Sequence, residues 1–169
     1  GVIALSKSGL EASIFYLFAY GIATLGAFAV VTLIRDSAGE VTDLNRWSGL
    51  GKRSPLTASV FALFLLAFAG IPLTSGFIGK FSIFSAAYES GNTSLLIAGV
   101  LSSAIAAFFY IRVIVLMFFK DSVEDGTSVV IPSALTTTTI AITSAVTLIL
   151  GIYPAPLINF IATFATFVR

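Results

Sequence analysis

The sequence predicts an all-α protein, a polytopic transmembrane helix bundle containing one broken helix. Three observations predict it. The chain is 57% hydrophobic and 10% charged, and its mean hydropathy of +1.05 lies far from that of a soluble domain. Uncharged apolar segments recur that are long enough to cross a hydrocarbon core, which takes roughly 20 helical residues. One of them, residues 56–88, carries the helix breakers Gly70, Pro72, Gly76 and Gly79 near its middle.

The elements follow in order. Residues 13–34 contain no charge and end at Arg35-Asp36, as a first span should. The loop 35–55 is the most polar region, with Asp36, Glu40, Asp43, Arg46, Lys52 and Arg53. Trp47 suits the membrane–water interface, and Pro55 suits the first turn of the next helix.

The segment 56–88 has 33 residues and one charge, Lys80. It is too long for one ordinary span and too short for two. A helix over 56–70 covers only about 22 Å, short of the roughly 30 Å hydrocarbon core. Irregular backbone near 70–76 therefore falls at membrane depth, where it survives only if protein or water covers its unpaired N–H and C=O groups.

Glu89-Ser90-Gly91-Asn92 reads as a turn, and 93–119 as a long span. Its small residues recur four apart, as Gly99, Ser103, Ala107 and as Ala98, Ser102, Ala106; one of these faces should meet another helix. After the short loop 120–131, the last span covers 133–152 and carries a stripe of Thr139, Thr143 and Thr147. Such hydroxyls bond their own i−4 carbonyls or a neighbouring helix. Tyr153-Pro154-Ala155-Pro156 ends it. The tail 154–169 is too short to cross and puts Leu157, Ile161, Phe164 and Val168 on one side, with Asn159, Thr163 and Thr166 away from it, which suits an interfacial or partner-binding helix. The whole of 1–169 reads as a single transmembrane domain. Because residue 1 is Gly and 1–5 resemble the end of an apolar segment, the chain reads as the C-terminal part of a longer protein.

The composition excludes several functions. Cys and His are both absent, so thiolate or imidazole metal sites, haem ligation by these residues and iron–sulfur clusters have no ligands here. Proton chemistry is left to Lys, Asp, Glu, Tyr or water. A net charge of +1 gives no nucleic-acid footprint; the partner to expect from composition is the lipid bilayer.

Lys80 stands out. It lies nine residues past Ile71, about 13 Å from the break if helical, with the positive end of a half-helix starting near Gly76 close by. A charged Lys near a bilayer centre costs roughly 2.5–3.5 kcal/mol on insertion scales. A lysine that loses and regains its proton there is the working part of a proton relay; the alternative is a lysine that snorkels or forms a static ion pair. Arg112 lies seven residues before Phe119, near enough to the helix end to snorkel. Its guanidinium stays protonated, so it tunes a neighbour or serves structurally and does not relay. Tyr16, Tyr20, Thr24 and Tyr110 offer hydroxyls for a water wire, although each is more often a packed side chain. Lys7 and Glu11 read as loop charges, and Glu89 as a solvated one.

The run Ala69-Gly70-Ile71-Pro72-Leu73-Thr74-Ser75-Gly76-Phe77-Ile78-Gly79-Lys80-Phe81 resembles a signature of the antiporter-like membrane subunits of respiratory complex I and of multisubunit cation/proton antiporters. Ser13-Ile14-Phe15-Tyr16-Leu17-Phe18-Ala19-Tyr20, Leu25-Gly26-Ala27-Phe28 and Phe109-Tyr110-Ile111-Arg112-Val113 support the resemblance, and the short tail is most similar to the subunit N family of NADH-quinone oxidoreductases. The resemblance implies the C-terminal part of a fourteen-helix subunit, with Lys80 as the lysine of its second broken helix. It implies a proton-translocating, non-redox subunit of NADH:quinone oxidoreductase in a bacterial inner membrane, a mitochondrial one being the lesser alternative. NADH, FMN, iron–sulfur clusters and quinone would then sit on other subunits. A subunit of a Na+/H+ antiporter or membrane-bound hydrogenase, or a non-conducting scaffold, are the alternatives.

Orientation depends on how the broken element crosses. A single crossing puts Arg35, Arg46, Lys52, Arg53 and Lys120 on one side, against Lys7 and Arg169 on the other. Positive-inside counting then makes the loop 35–55 cytoplasmic and the tail outward.

Overall fold

The computed structural model describes residues 6–36, 39–41, 43–121 and 128–164; the expectations for residues 1–5, Thr166, Val168 and Arg169 lie outside them. Among the described residues three helices are long and apolar enough to span a membrane: α1 (Lys7–Val31), α5 (Thr93–Phe119) and α6 (Ala134–Ile152). Between α1 and α5 come β1 (Ile34–Asp36), β2 (Gly39–Glu40), a 3₁₀ turn (Leu44–Trp47), α2 (Leu50–Arg53), α3 (Pro55–Ala69) and α4 (Ser75–Glu89). β3 (Ser128–Val129) precedes α6, and α7 (Ala155–Phe164) follows it.

The first span begins earlier than hydropathy alone suggests. Ser6 caps α1, its hydroxyl accepting from the Gly9 N–H at 3.1 Å, and Lys7 and Glu11 form an i,i+4 pair at 3.8 Å. These polar groups belong to the helix and not to a loop. The polar loop is also more ordered than a linker. β1 pairs antiparallel with β2 and with β3, giving a small three-stranded sheet in order β2-β1-β3. The helical bundle thus carries a sheet that apolar periodicity could not reveal. Trp47 is buried among protein side chains, with its ring centroid 5.0 Å from that of Phe61.

These loop contacts show how the broken element runs through the bundle. Lys52 Nζ bonds Asp121 Oδ1 at 2.9 Å, Ile34 pairs with Val129, and the Gly49 N–H donates to the Leu116 carbonyl at 3.3 Å. The end of α1, the loop and the end of α5 therefore share one end of the bundle. At the other end, residues from the start of α1, the end of α4 and α7 line one recess, among them Ser8, Glu11, Ser82, Glu89 and Ile161. So α3 and α4, 15 residues each, together make one traverse.

The core lies where α1, α3 and the end of α5 meet, with Val30, Leu50, Phe64 and Met117 almost fully buried. A second cluster joins Phe15 and Ala19 of α1, Leu150 of α6 and Ile161 of α7. The tail helix is thus seated on this chain's own α1 and α6 through Ile161 and Leu157, while Phe164 is exposed. On α6 each threonine of the stripe donates to its i−4 carbonyl: Thr139 to Leu135, Thr143 to Thr139 and Thr147 to Thr143, at 2.9, 2.7 and 2.8 Å.

Candidate functional site at the broken helix

The helix α3 stops at Gly70 for a conformational reason. Gly70 has φ +80°, in the left-handed region that glycine enters without steric cost. The Gly70 N–H donates to the Leu66 and Ala67 carbonyls and the Ile71 N–H to Leu66, all at 3.0 Å. Pro72 follows, where a helix cannot continue. Leu73 is the one described non-glycine residue with positive φ, at +71°. The Thr74 hydroxyl donates to the Ile71 carbonyl at 2.7 Å, and α4 begins at Ser75. Gly151 of α6 lies against the backbone of Leu73 and Thr74, leaving no space for a side chain. Protein thus covers this irregular backbone, as membrane depth requires.

Of the expected break residues, Gly70 and Pro72 lie in the interruption. Gly76 and Gly79 lie inside α4 and act as contact points. A Cβ on Gly79 would come 2.9 Å from Tyr16 Cδ2, and Gly76 is seated on the backbone of Ala67.

Lys80 is on α4, but its ammonium is at the break. Side chains on a helix lean toward its N-terminus, and the Lys80 side chain passes over Gly70, where a Cβ would lie 2.8 Å from Lys80 Cδ. Nζ donates to the Phe68 carbonyl at 2.7 Å, to the Ala69 carbonyl at 3.3 Å and to Ser103 Oγ at 2.8 Å. The ammonium therefore faces the carbonyl end of α3, its negative pole, and not the positive end of α4. Among the described residues no carboxylate lies within ion-pair distance of it.

The third partner comes from the small-residue face of α5. Gly99 lets Phe84 approach, to 3.0 Å from a notional Cβ, and Ser103 meets Lys80. The Gly99/Ser103 face thus packs on α4. Ala98 and Ser102 are more exposed. Beside Lys80 a cleft of about 340 Å³ is lined by Tyr16, Tyr20, Tyr110, Ser102 and Ser103, with Phe68 and Phe84 as apolar walls. Ring centroids step from Tyr16 to Tyr20 to Phe68 to Tyr110 at 5.6, 5.3 and 5.5 Å. Thr24 borders the adjoining cavity, its hydroxyl tied to the Tyr20 carbonyl at 2.7 Å.

Arg112 is not brought to this site. It is exposed on α5 and lines no part of the Lys80 cleft. Glu11 and Glu89 share the recess at the opposite end, of about 180 Å³, with Ser8, Ser82 and Ser85. The Phe68 and Ala69 carbonyls carry no side-chain signal and were not legible in the sequence. Ser103 was visible only as a packing residue.

Residues 1–106 match the family described as NADH:quinone oxidoreductase/Mrp antiporter, transmembrane. The chain is 60% identical, over its full length, to NADH-quinone oxidoreductase subunit N 3 of Streptomyces griseus and 58% identical to NADH-quinone oxidoreductase subunit N of Rhodococcus opacus. It covers 30% and 31% of those proteins, so it spans about a third of the length of these relatives. Among solved structures, it resembles a chain of respiratory complex I from Thermus thermophilus with bound aureothin (TM-score 0.76, 26% identity, 88% of this chain and 34% of the other). It also resembles a chain of the Mrp complex from Dietzia sp. (TM-score 0.76, 25% identity, 95% and 38%).

Proposed function

Because this chain belongs to the NADH:quinone oxidoreductase/Mrp antiporter transmembrane family, we propose that it forms the C-terminal part of a proton-translocating membrane subunit of NADH:quinone oxidoreductase. It is a multi-pass protein of the bacterial inner membrane. In this reading it couples quinone reduction to proton movement without carrying electrons. NADH, FMN, iron–sulfur clusters and quinone are held by other subunits of the assembly, and other membrane subunits are its partners.

One observation carries the reading: the Lys80 ammonium is held at the broken helix by two carbonyls and one hydroxyl. Neutral acceptors of this kind hold the charged form, yet impose no fixed countercharge that an amine losing its proton would leave unpaired. The tyrosine and serine hydroxyls lining the adjoining cleft can order water, each molecule taking about 30 Å³. Lys80 is the relay residue, Arg112 a structural charge outside it, and Gly70 and Pro72 the break that frees the α3 carbonyls for Lys80.

The similarity to the Mrp complex chain keeps a cation/proton antiporter subunit as the second reading; 60% identity to a subunit N relative over the whole chain favours the first. The test is Lys80→Ala in the full-length subunit within the assembled complex. Proton uptake into vesicles and coupled quinone reduction should fall strongly, while NADH oxidation by an artificial acceptor continues. Uptake at the wild-type rate would leave the chain a non-conducting scaffold around Lys80.

A further inference from the structure

Ser103 is the hydroxyl through which the Lys80 proton leaves for the cleft: we propose this exit, and it rests on the relay reading of Lys80 above. The three acceptors around Nζ are not equivalent. The Phe68 and Ala69 carbonyl oxygens accept a hydrogen bond but have no proton of their own to pass on, so a proton sent to either goes no further. Ser103 Oγ accepts and donates at once.

The surroundings of Ser103 support the assignment. The other serine and threonine hydroxyls in the membrane helices that bond within the chain do so mainly to their own backbone: Ser13, Thr24, Ser82, Thr139, Thr143 and Thr147 each donate to the i−4 carbonyl. No such bond engages Ser103; its recorded bond is the one it accepts from Lys80. Its hydrogen is therefore available to the cleft, which Ser103 lines beside Ser102, Tyr20 and Tyr110. Gly99, one turn earlier on the same face, allows α5 to approach α4 at Phe84, and that approach brings Ser103 to Lys80.

The step balances without any co-reactant beyond water. An N–H bond of the ammonium breaks and its proton forms a new O–H bond on Ser103. The original Ser103 hydroxyl proton passes to a water in the cleft. Lys80 is left as a neutral amine whose lone pair faces the hydroxyl. The return of a proton runs the same transfers backwards, with Ser103 donating to Nζ.

The isosteric pair Ser103→Thr and Ser103→Val tests this, because the two side chains differ only in a hydroxyl against a methyl. Each is placed in the full-length subunit of the assembled complex, with Lys80→Ala beside it, and proton uptake is measured in vesicles under quinone reduction. Ser103→Val and Ser103→Ala should slow uptake about ten-fold or more, the factor set by losing a hydrogen bond to a charged group. Ser103→Thr should stay within about two-fold of wild type, well inside that factor. Equal rates for Thr and Val, whether both fast or both slow, would overturn the Ser103 exit. Wild-type uptake by Lys80→Ala would instead bring down the relay reading on which it rests, so the two failures are told apart.

Discussion

Gly76 of α4 is seated directly on the carbonyl group of Ala67 in α3, so that a Cβ on Gly76 would lie 2.7 Å from the Ala67 carbonyl carbon and closer still to its oxygen. The two half-helices therefore overlap side by side at the break. The overlap leaves the last carbonyls of α3, those of Phe68 and Ala69, within reach of Lys80 one turn further along α4. Gly76 permits the geometry from which the site is built.

A graded set of glycine substitutions follows from that contact. Gly76→Ala would meet backbone, which cannot swing aside, and should cost about 3 kcal/mol, at or above the upper end for inserting one methyl into packed structure. Gly79→Ala meets the Tyr16 ring and, at 3.3 Å, the Tyr16 Cα, a milder conflict that a small shift of α1 relieves, and should cost about 1 kcal/mol. Gly21→Ala has nothing within 4 Å and should be neutral or stabilising by up to about 1 kcal/mol, since alanine favours helix over glycine. Thermal unfolding of the purified complex in detergent gives the order. Equal melting points for Gly76→Ala and Gly21→Ala would remove the argument for close half-helix contact.

The loop contacts make a pH prediction at the other end of the scale. Lys52 beside Asp121, through a hydrogen bond and its charge, holds the Asp121 carboxyl below the usual carboxylate range. A carboxyl depressed in the folded state contributes stability that is fully present above its unfolded value and lost as pH falls through its folded value. Both side chains are largely exposed, so salt should weaken the pair. The melting temperature of wild type minus that of Asp121→Asn should therefore be small and positive at neutral pH. It should vanish as pH drops below the ordinary carboxylate range, and shrink in high salt. A difference that grows on acidification would contradict this sign.

Much of this architecture was legible in the residues, for reasons that separate what was visible from what was not. Uncharged runs and breakers give the spans and the interruption, because membrane depth punishes both charge and unpaired backbone. Gly70 and Pro72 locate the break to within a few residues. The small-residue face Gly99/Ser103 foretells close packing, and α4 is what it meets. Two features escaped. The side chain of Lys80 leans back by more than two helical turns' worth of sequence, to residues 68 and 69, because the chain doubles past itself at Gly76; a position counted along one helix puts Lys80 about 13 Å from the break, whereas its ammonium bonds the last carbonyls of α3. The sheet depends on pairing of β1 with the distant strand β3, and the burial of Trp47 on its packing against Phe61 of α3; neither contact leaves a local periodicity to read.

The last prediction separates the charge of Lys80 from its proton. In Lys80→Arg a cation remains, and its donors can still reach the carbonyl end of α3, so assembly of the complex should be preserved better than in Lys80→Ala. A guanidinium does not deprotonate in proteins, so it cannot hand a proton to Ser103 or take one back. It is also broader than the lysine chain, which already runs so close over Gly70 that a Cβ there would lie 2.8 Å from Lys80 Cδ. Proton uptake by Lys80→Arg vesicles should therefore stay as low as in Lys80→Ala across the neutral range, with no recovery as pH is raised or lowered. NADH oxidation by an artificial acceptor and the yield of intact complex serve as controls for folding. Uptake by Lys80→Arg at the wild-type rate would mean that a permanent positive charge at the broken helix is enough, and that the moving proton takes a route on which the Lys80 amine never gives up its own.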